Sequence, residues 1–293
     1  MKRSAFLTGS VAAACALPLA ARAQMPLDAL LRPAIDSIPG AVGIYAHTMA
    51  NGAPIASYNA NVSFPSASTI KMLIMLTAFK AAESEPSVMH ERITFHSSEL
   101  IGGSDFLQNA SDGQRFTVAQ LIVPMIQVSD NTASNLLITH FGFERINAIT
   151  LGAGLKHTHL RRHFLDTAAV LRHMDNRTTP ADMAHLLFEL ERGVREEIPT
   201  VALPRSCRRM IDIMLGQTDR DTIPRGVPAG VQVANKTGEL SRSRSDVAIV
   251  DPYGASPYVL AVYTNGLDGP GEAYDGIAEI SKIIYTRVAG SYL

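Results

Sequence analysis

The chain predicts an α/β (α+β) fold in which strands from both ends build one sheet and an all-α lobe is inserted between them. Two observations carry this expectation. Strand-like runs gather at residues 41–58 and again from Val231 onward, whereas most of the span 62–212 repeats its apolar residues at helical spacing. The expected division is an α/β lobe of residues 24–61 plus 213–293 and an all-α lobe of 62–212, together one catalytic unit with its cleft between the lobes. With 293 residues, 46% hydrophobic and 18% charged, the chain can bury a sizeable core as an ordinary soluble globular protein. Its formal charge of -1 leaves no electrostatic footprint for nucleic acid or an anionic membrane surface.

Met1-Lys2-Arg3 opens a charged segment, Val11 to Ala20 is small and apolar but too short to span a bilayer, and Ala21-Arg22-Ala23 is an Ala-x-Ala cleavage site. Residues 1–23 therefore read as an export signal peptide. Lys2-Arg3 leaves both the Sec and the twin-arginine (Tat) route open, and the mature protein is expected in the periplasm or secreted, with no membrane span. Cys15 offers a lipoprotein anchor as the weaker alternative. If Cys15 leaves with the signal, Cys207 is the only cysteine and no intramolecular disulfide can form. Cys207 lies in a helical pattern with apolar neighbours and reads as a buried structural thiol.

A first helix over 26–40 ends at Pro39-Gly40, and Ala41–Ala46 pairs with Ile55–Tyr58 as a hairpin across Asn51-Gly52-Ala53-Pro54. After the helix that follows Ser68, further helices are expected at Val118–Gln127, Asn131–His140, Phe143–Leu151 and Pro180–Arg192. Thr178-Thr179-Pro180 announces the last, a cap followed by proline in the first turn. Strands return at Val231–Ala234, Asp246–Val250 and Tyr258–Tyr263, the last two separated by the turn Asp251-Pro252-Tyr253-Gly254. A final helix from Ala273 to Arg287 carries an apolar stripe of Ile277, Ile280, Ile284 and Val288.

Phe64-Pro65-Ser66-Ala67-Ser68-Thr69-Ile70-Lys71 leads into Met72 to Phe79, a run apolar on every side, as a helix sunk in a core must be. Ser68 and Lys71, three apart, then share one face at the mouth of that helix. The N–H groups and positive dipole end of a helix suit a site where an oxyanion develops. A lysine in a desolvated pocket loses its proton readily enough to act as base toward the hydroxyl. Ser-x-x-Lys is thereby a nucleophile and base pair, although taken alone it reads more readily as a helix cap followed by a solvated lysine.

Two further motifs change that balance. Ser129-Asp130-Asn131 falls at a break between two expected helices, and Lys236-Thr237-Gly238 lies on the strand before an expected Ser245-Asp246 turn. Ser-x-x-Lys, Ser-Asp-Asn and Lys-Thr-Gly in this order are a known signature of class A β-lactamases and penicillin-binding proteins. The chain resembles that family over nearly its whole mature length, in the subgroup of class A β-lactamase-related serine hydrolases. The resemblance implies a β-lactamase/transpeptidase-like fold, an antiparallel sheet flanked by helices beside the all-α lobe. It also implies that Ser68 is the acylated nucleophile, that Lys71 is the base or proton relay, and that Ser129 passes a proton to the departing amide nitrogen. Lys236 would keep this region electropositive and, with Thr237, help bind a substrate carboxylate. Asn131 would bind the substrate's side-chain amide and buttress Lys71, while Asp130 braces the loop. The backbone N–H groups of Ser68 and Glu239, beside Gly238, would form the oxyanion hole. Arg244 is a candidate second carboxylate anchor, or else a solvated turn arginine, and Phe106 lies where the family lines the cleft entrance.

One part of the family pattern is missing. Where the family's Ω-loop carries Glu-x-x-x-Asn to orient the deacylating water, this chain reads Leu160 to His173 with Asp166 as the only carboxylate before Asp175. Asp166 is the candidate replacement, or else a structural partner of Arg161 or Arg162. Loss of an effective general base slows such a step by roughly 10²–10⁴-fold, so the departure bears on turnover more than on acylation. His157-Thr158-His159 lacks a third ligand at metal spacing, and neither a metal nor another cofactor is expected. The expected function is an exported serine hydrolase that opens β-lactam rings, small cyclic amides, in β-lactam catabolism or antibiotic resistance, as a monomer. The alternatives are a cell-wall peptidase or esterase, and a penicillin-binding receptor that acylates with little turnover.

Overall fold

The computed structural model describes residues 25–49 and 54–290. The expected export signal with Cys15, and the turn residues Asn51, Gly52 and Ala53, lie outside them. Helix α1 (Leu27–Asp36) buries Leu31, Ala34 and Ile35. It ends at Asp36, earlier than Pro39-Gly40, where Ser37 Oγ turns back to donate to the Ala34 carbonyl at 2.8 Å. Gly40 takes φ +88° against the end of the sheet, and a Cβ there would stand 2.4 Å from the Asn265 carbonyl oxygen, so only glycine fits.

Strands β1 (Ala41–Thr48) and β2 (Pro54–Tyr58) pair antiparallel, with Ile44 opposite Tyr58. The chain then leaves the sheet through β3 (Phe64–Pro65) and a 3-10 turn, Ala67–Ile70, that runs directly into α2 (Lys71–Ser84). A short ladder of β4 (Arg92–Thr94) and β5 (Arg115–Thr117) precedes α3 (Val118–Gln127), α4 (Asn131–Phe141) and α5 (Phe143–Gly152). After α6 (Thr167–Leu171), β6 (Arg177–Thr178) pairs with β3, and α7 (Pro180–Arg195) and α8 (Pro204–Leu215) complete the insertion. Strands β7 (Val233–Leu240), β8 (Ser243–Val250) and β9 (Tyr258–Asn265) return to the sheet before the closing helix α9 (Tyr274–Gly290).

The five-stranded sheet has the order β2-β1-β9-β8-β7 and every pair is antiparallel. The two ends of the chain meet where β1 pairs with β9 over its whole length, from Ala41 opposite Asn265 to Thr48 opposite Tyr258. Alternation along the strands divides the core into two layers. Ala248, Val250, Leu260 and Val262 pack with α1 and with Ile277, Ile280 and Ile284 of α9. Val247, Ile249, Val259 and Ala261 face the other way, into the helical core of Leu186, Leu187 and Leu190 from α7 and Leu73 to Leu76 from α2. Helix α2 contacts α3, α4, α5 and α8, the physical reason for its apolar circumference.

Several expectations need correction. Ser245-Asp246 is no turn but the middle of β8, all eight residues of which are buried, and the chain reverses at Ser241-Arg242 instead. Polar composition suggested a turn, whereas each of these groups finds an internal partner. The first returning strand begins at Val233 and continues to Leu240, carrying Lys236-Thr237-Gly238 in its interior. The span 62–212 is not helical throughout, since it holds the β3–β6 and β4–β5 ladders; two- and three-residue strands have no alternation to read. Cys207 is fully buried, and burial pushes its thiol up.

Candidate active site

The turn before α2 holds Ser68 on a strained and well-pinned backbone. Ala67 adopts φ +47°, a left-handed conformation that a non-glycine residue keeps only when its surroundings impose it. Ser66 N–H donates to the Asn176 carbonyl at 3.0 Å, Thr69 Oγ1 donates to the Ser66 carbonyl at 2.7 Å, and Thr69 Oγ1 lies 2.7 Å from the Tyr263 hydroxyl of β9. Ser66, Ala67, Thr69 and Ile70 are buried, and Ser68 is the residue of the turn that solvent reaches. Among the described residues its hydroxyl makes no side-chain hydrogen bond. Strand β7 closes one side, for a Cβ on Gly238 would stand 2.6 Å from Ser245 Oγ, 3.0 Å from Ala67 Cβ and 3.1 Å from the Ser66 carbonyl oxygen. Glycine is what lets the strand approach the turn so closely.

Lys71, one turn after Ser68, has no solvent exposure, which excludes the solvated-lysine reading. Its Nζ donates to the Ser129 carbonyl and to Asn131 Oδ1 at 2.8 Å, and stands 3.1 Å from Ser129 Oγ. Lys236, also fully buried, donates to the same Ser129 Oγ at 3.0 Å and to the Thr237 carbonyl at 2.8 Å. One hydroxyl thus bridges two buried amines. Burial pushes Lys71 well below the usual lysine range, and the charge of Lys236 pushes it further down against the pull of Asp130. Burial brings Lys236 down to about 7, with Asp246 and Asp219 acting in the opposite sense. A neutral Lys71 has two N–H groups for its two carbonyl acceptors and one lone pair left to accept from a hydroxyl.

Ser129 reaches this position from a backbone at φ +60°, in the break between α3 and α4. Asp130, fully buried, caps α4 by accepting from Ala133 N–H at 2.8 Å, and its other oxygen accepts from the N–H groups of Phe106 and Leu107. Asn131 donates to the Gly102 carbonyl at 2.9 Å while its oxygen holds Lys71. Phe106 is 41% exposed and packs edge-on against Phe116.

The segment between His159 and Arg177 closes the site from the other side. Its neck is a bridge between those two residues, and Arg162 is paired with Asp175 at 2.7 Å. Phe164, held by reciprocal hydrogen bonds with Asn135, presents its ring 4.4 Å from Lys71 Nζ. Asp166 is half-buried and caps α6 by accepting from Ala169 N–H at 2.9 Å; no ion pair joins it to Arg161 or Arg162. An aromatic face therefore covers the lysine where the sequence offered only Asp166. Nothing in the sequence marked Phe164, a lone aromatic in a loop.

Arg244 is not a solvated turn residue: it lies within β8 with its side chain 3% exposed. It pairs with Asp219 at 2.6 Å and Glu239 at 2.8 Å, and its guanidinium stacks 4.5 Å above the Tyr274 ring. Glu239 stands directly opposite Arg244 in the β7–β8 register, and Thr237 opposite Asp246. Asp246, pushed up to about 6 by burial, accepts from Thr222 and Asn235. A separate cavity of about 580 Å³, lined by His157, His159, Arg161, His173 and Arg177 among others, contains none of the motif residues.

A family model described as the beta-lactamase enzyme family matches residues 26–288. Beta-lactamase L2 of Stenotrophomonas maltophilia is 29% identical over 276 residues, covering 88% of each chain. Among solved structures, a point variant of PBP-A captured as its acyl-enzyme complex with penicillin G superposes with a TM-score of 0.79 at 26% identity, over 92% of this chain and 99% of that one. A beta-lactamase from Burkholderia phymatum superposes with a TM-score of 0.77 at 28% identity, over 88% of this chain and 96% of that one.

Proposed function

Because this chain belongs to the beta-lactamase enzyme family, we propose that it is an exported serine enzyme that opens β-lactam rings through an acyl-enzyme on Ser68. The observation that carries the reading is the Ser129 hydroxyl held between two buried amines, Lys71, one turn after Ser68, at 3.1 Å and Lys236 at 3.0 Å. In this reading the neutral Lys71 accepts the Ser68 proton as Oγ attacks the ring carbonyl. The N–H groups of Ser68 and Glu239 hold the oxyanion, with Gly238 allowing the close approach. As the C–N bond breaks, Ser129 donates its proton to the leaving nitrogen and recovers one from Lys71, while Lys236 stabilises the charge that passes through its oxygen. One C–O bond forms, one C–N bond breaks, and the proton taken from Ser68 ends on nitrogen. Asn131 keeps Lys71 aimed and offers its exposed edge to the substrate's amide.

Deacylation needs a water and a base. Asp166 is the loop's candidate for that role, yet one of its oxygens caps α6 and the Phe164 ring covers Lys71. These two observations favour an acyl-enzyme that persists, as in a penicillin-binding receptor or a cell-wall peptidase or esterase for which β-lactams are poor substrates. The PBP-A variant of the same fold, captured with penicillin G, supports acylation.

Time-resolved intact-protein mass spectrometry with benzylpenicillin, run alongside nitrocefin hydrolysis, tests both parts. An adduct on the native protein and none on Ser68→Ala is expected; labelling that survives this substitution would remove Ser68 as the nucleophile. Steady turnover would establish hydrolysis, and an adduct that persists without turnover would establish the receptor or peptidase reading.

A further inference from the structure

The cavity of about 580 Å³ lies beside the neck of the segment between His159 and Arg177 and shares no residue with the three motifs. From His157 to Arg162 burial alternates along the chain. Thr158, Leu160 and Arg162 are buried, whereas His157, His159 and Arg161 are exposed and line the cavity. His173 and Arg177 line it from the returning half of the segment.

Arg177 is fixed in place. Its Nε and Nη2 donate to the Oγ and the carbonyl of Ser63 at 3.1 and 2.6 Å, which leaves Nη1 without a partner among the described residues. The side chains of His157, His159, Arg161 and His173 likewise make no hydrogen bond or ion pair among the described residues. Asp175, the carboxylate lining the cavity, is already paired with Arg162 at 2.7 Å. Two guanidinium groups and three imidazoles therefore surround one hollow without matching counter-charge, in a chain whose formal charge is -1. A hollow lined by one sign of charge focuses the field and draws in the opposite ion.

The imidazoles do not make this a metal site. Among the described residues no group of three or more His, Cys, Asp or Glu is placed to hold a metal ion. A guanidinium, moreover, has no lone pair to offer one. It matches carboxylate and phosphate oxygens, which it binds through two parallel N–H bonds, and an imidazole adds an N–H in either protonation state. The volume falls within the roughly 300–1,000 Å³ of small-molecule sites.

We propose that this cavity is a second binding site, for a small organic anion carrying two or more carboxylate or phosphate groups. Arg161 and Arg177 hold the acidic groups, and the histidines donate to the oxygens between them. The site stands apart from Ser68, so the proposal does not depend on the β-lactam-opening reading.

Isothermal titration of the purified protein with citrate and with pyrophosphate at low salt tests it. Binding of one equivalent with a Kd below about 1 mM is expected for at least one of them, weakening as sodium chloride is raised. Tighter binding of citrate assigns the site to carboxylates, and tighter binding of pyrophosphate to phosphates. Arg161→Gln and His173→Gln, both exposed, should each weaken binding by about two- to fivefold, the worth of one exposed charged contact. If one of them does not fold, the other carries the test. Lys236→Ala, which removes the amine nearest Ser129, should leave anion binding unchanged. No binding of either anion, or an affinity that neither cavity variant changes, overturns the proposal. So does an affinity lost in Lys236→Ala alone, which would place the anion in the reacting site. Each of these outcomes leaves acylation at Ser68 to be judged by its own experiment.

Discussion

Two lysines with no solvent exposure share one serine hydroxyl, and the charge of Lys236 pushes Lys71 down further than burial does alone. Burial and then the charge of Lys236 hold Lys71 well below the usual lysine range, while burial brings Lys236 itself to about 7. Acylation then rises with pH as Lys71 loses its proton and falls as Lys236 loses its own near 7. Lys236→Arg keeps a permanent charge and is expected to abolish the falling limb while leaving the rising one. Lys236→Ala removes the charge that depresses Lys71, so its rising limb should move to higher pH. Acylation rates measured from pH 5 to 10 check both; a rising limb that stays put in Lys236→Ala would show that burial alone sets Lys71. Stability follows the same sign. The folded pKa of Lys236 lies below the ordinary 10.5, the unfolded chain binds the proton more tightly, and the cost of burying this group is relieved as pH rises from about 7 toward 10.5.

At the level of elements, the site is a seam between the edge strand β7 and the turn that precedes α2. Its geometry depends on Gly238, since an added methyl would meet Ala67 Cβ at 3.0 Å and the Ser66 carbonyl at 3.1 Å, and that backbone is already strained at Ala67. Gly238→Ala should push the strand outward by a few tenths of an ångström and slow acylation by about 10- to 100-fold, because a reacting pair tolerates little misplacement. Acylation at the native rate would show that β7 does not set the geometry of the nucleophile. Asp130 has a comparable role between elements, joining the α4 cap to the Phe106-Leu107 turn, so that Ser129 and Asn131 enter the site from a braced segment.

Across the whole molecule, the sheet face under the helical lobe must lie close to β3 and α7 for Ser66 to meet Asn176 and for Thr69 to meet Tyr263. Gly43 of β1 permits that approach. A Cβ there would stand 2.5 Å from the Phe64 ring and 2.9 Å from Pro180 Cγ. Gly43→Ala is expected to lower the free energy of unfolding by about 1–3 kcal/mol, the usual cost of overpacking a filled core, measured by urea denaturation. Unchanged stability would mean that β3 and α7 are free to move away. Among the described residues no helix is long and apolar enough to cross a membrane.

Ser-x-x-Lys, Ser-Asp-Asn and Lys-Thr-Gly are legible because each is a contiguous run whose local helix or strand orients it. The helices Val118–Gln127, Asn131–Phe141, Phe143–Gly152 and Pro180–Arg195 were legible for the same reason, since periodicity is a property of neighbours along the chain, whereas the five-residue α6 (Thr167–Leu171) fell in a stretch read as loop. Ser245-Asp246 read as a turn, with Arg244 open as a solvated turn residue, and only the partners of Arg244 and Asp246, namely Asp219, Glu239, Thr222, Asn235 and Thr264, make a buried strand of them. Phe164 over Lys71, and Asp219 beside Arg244, join segments far apart in the chain. Which residues react is thus a matter of local motif. Which charge the substrate meets, and what covers the lysine, are decided by tertiary packing, because burial and pairing determine whether a charged side chain is presented or masked.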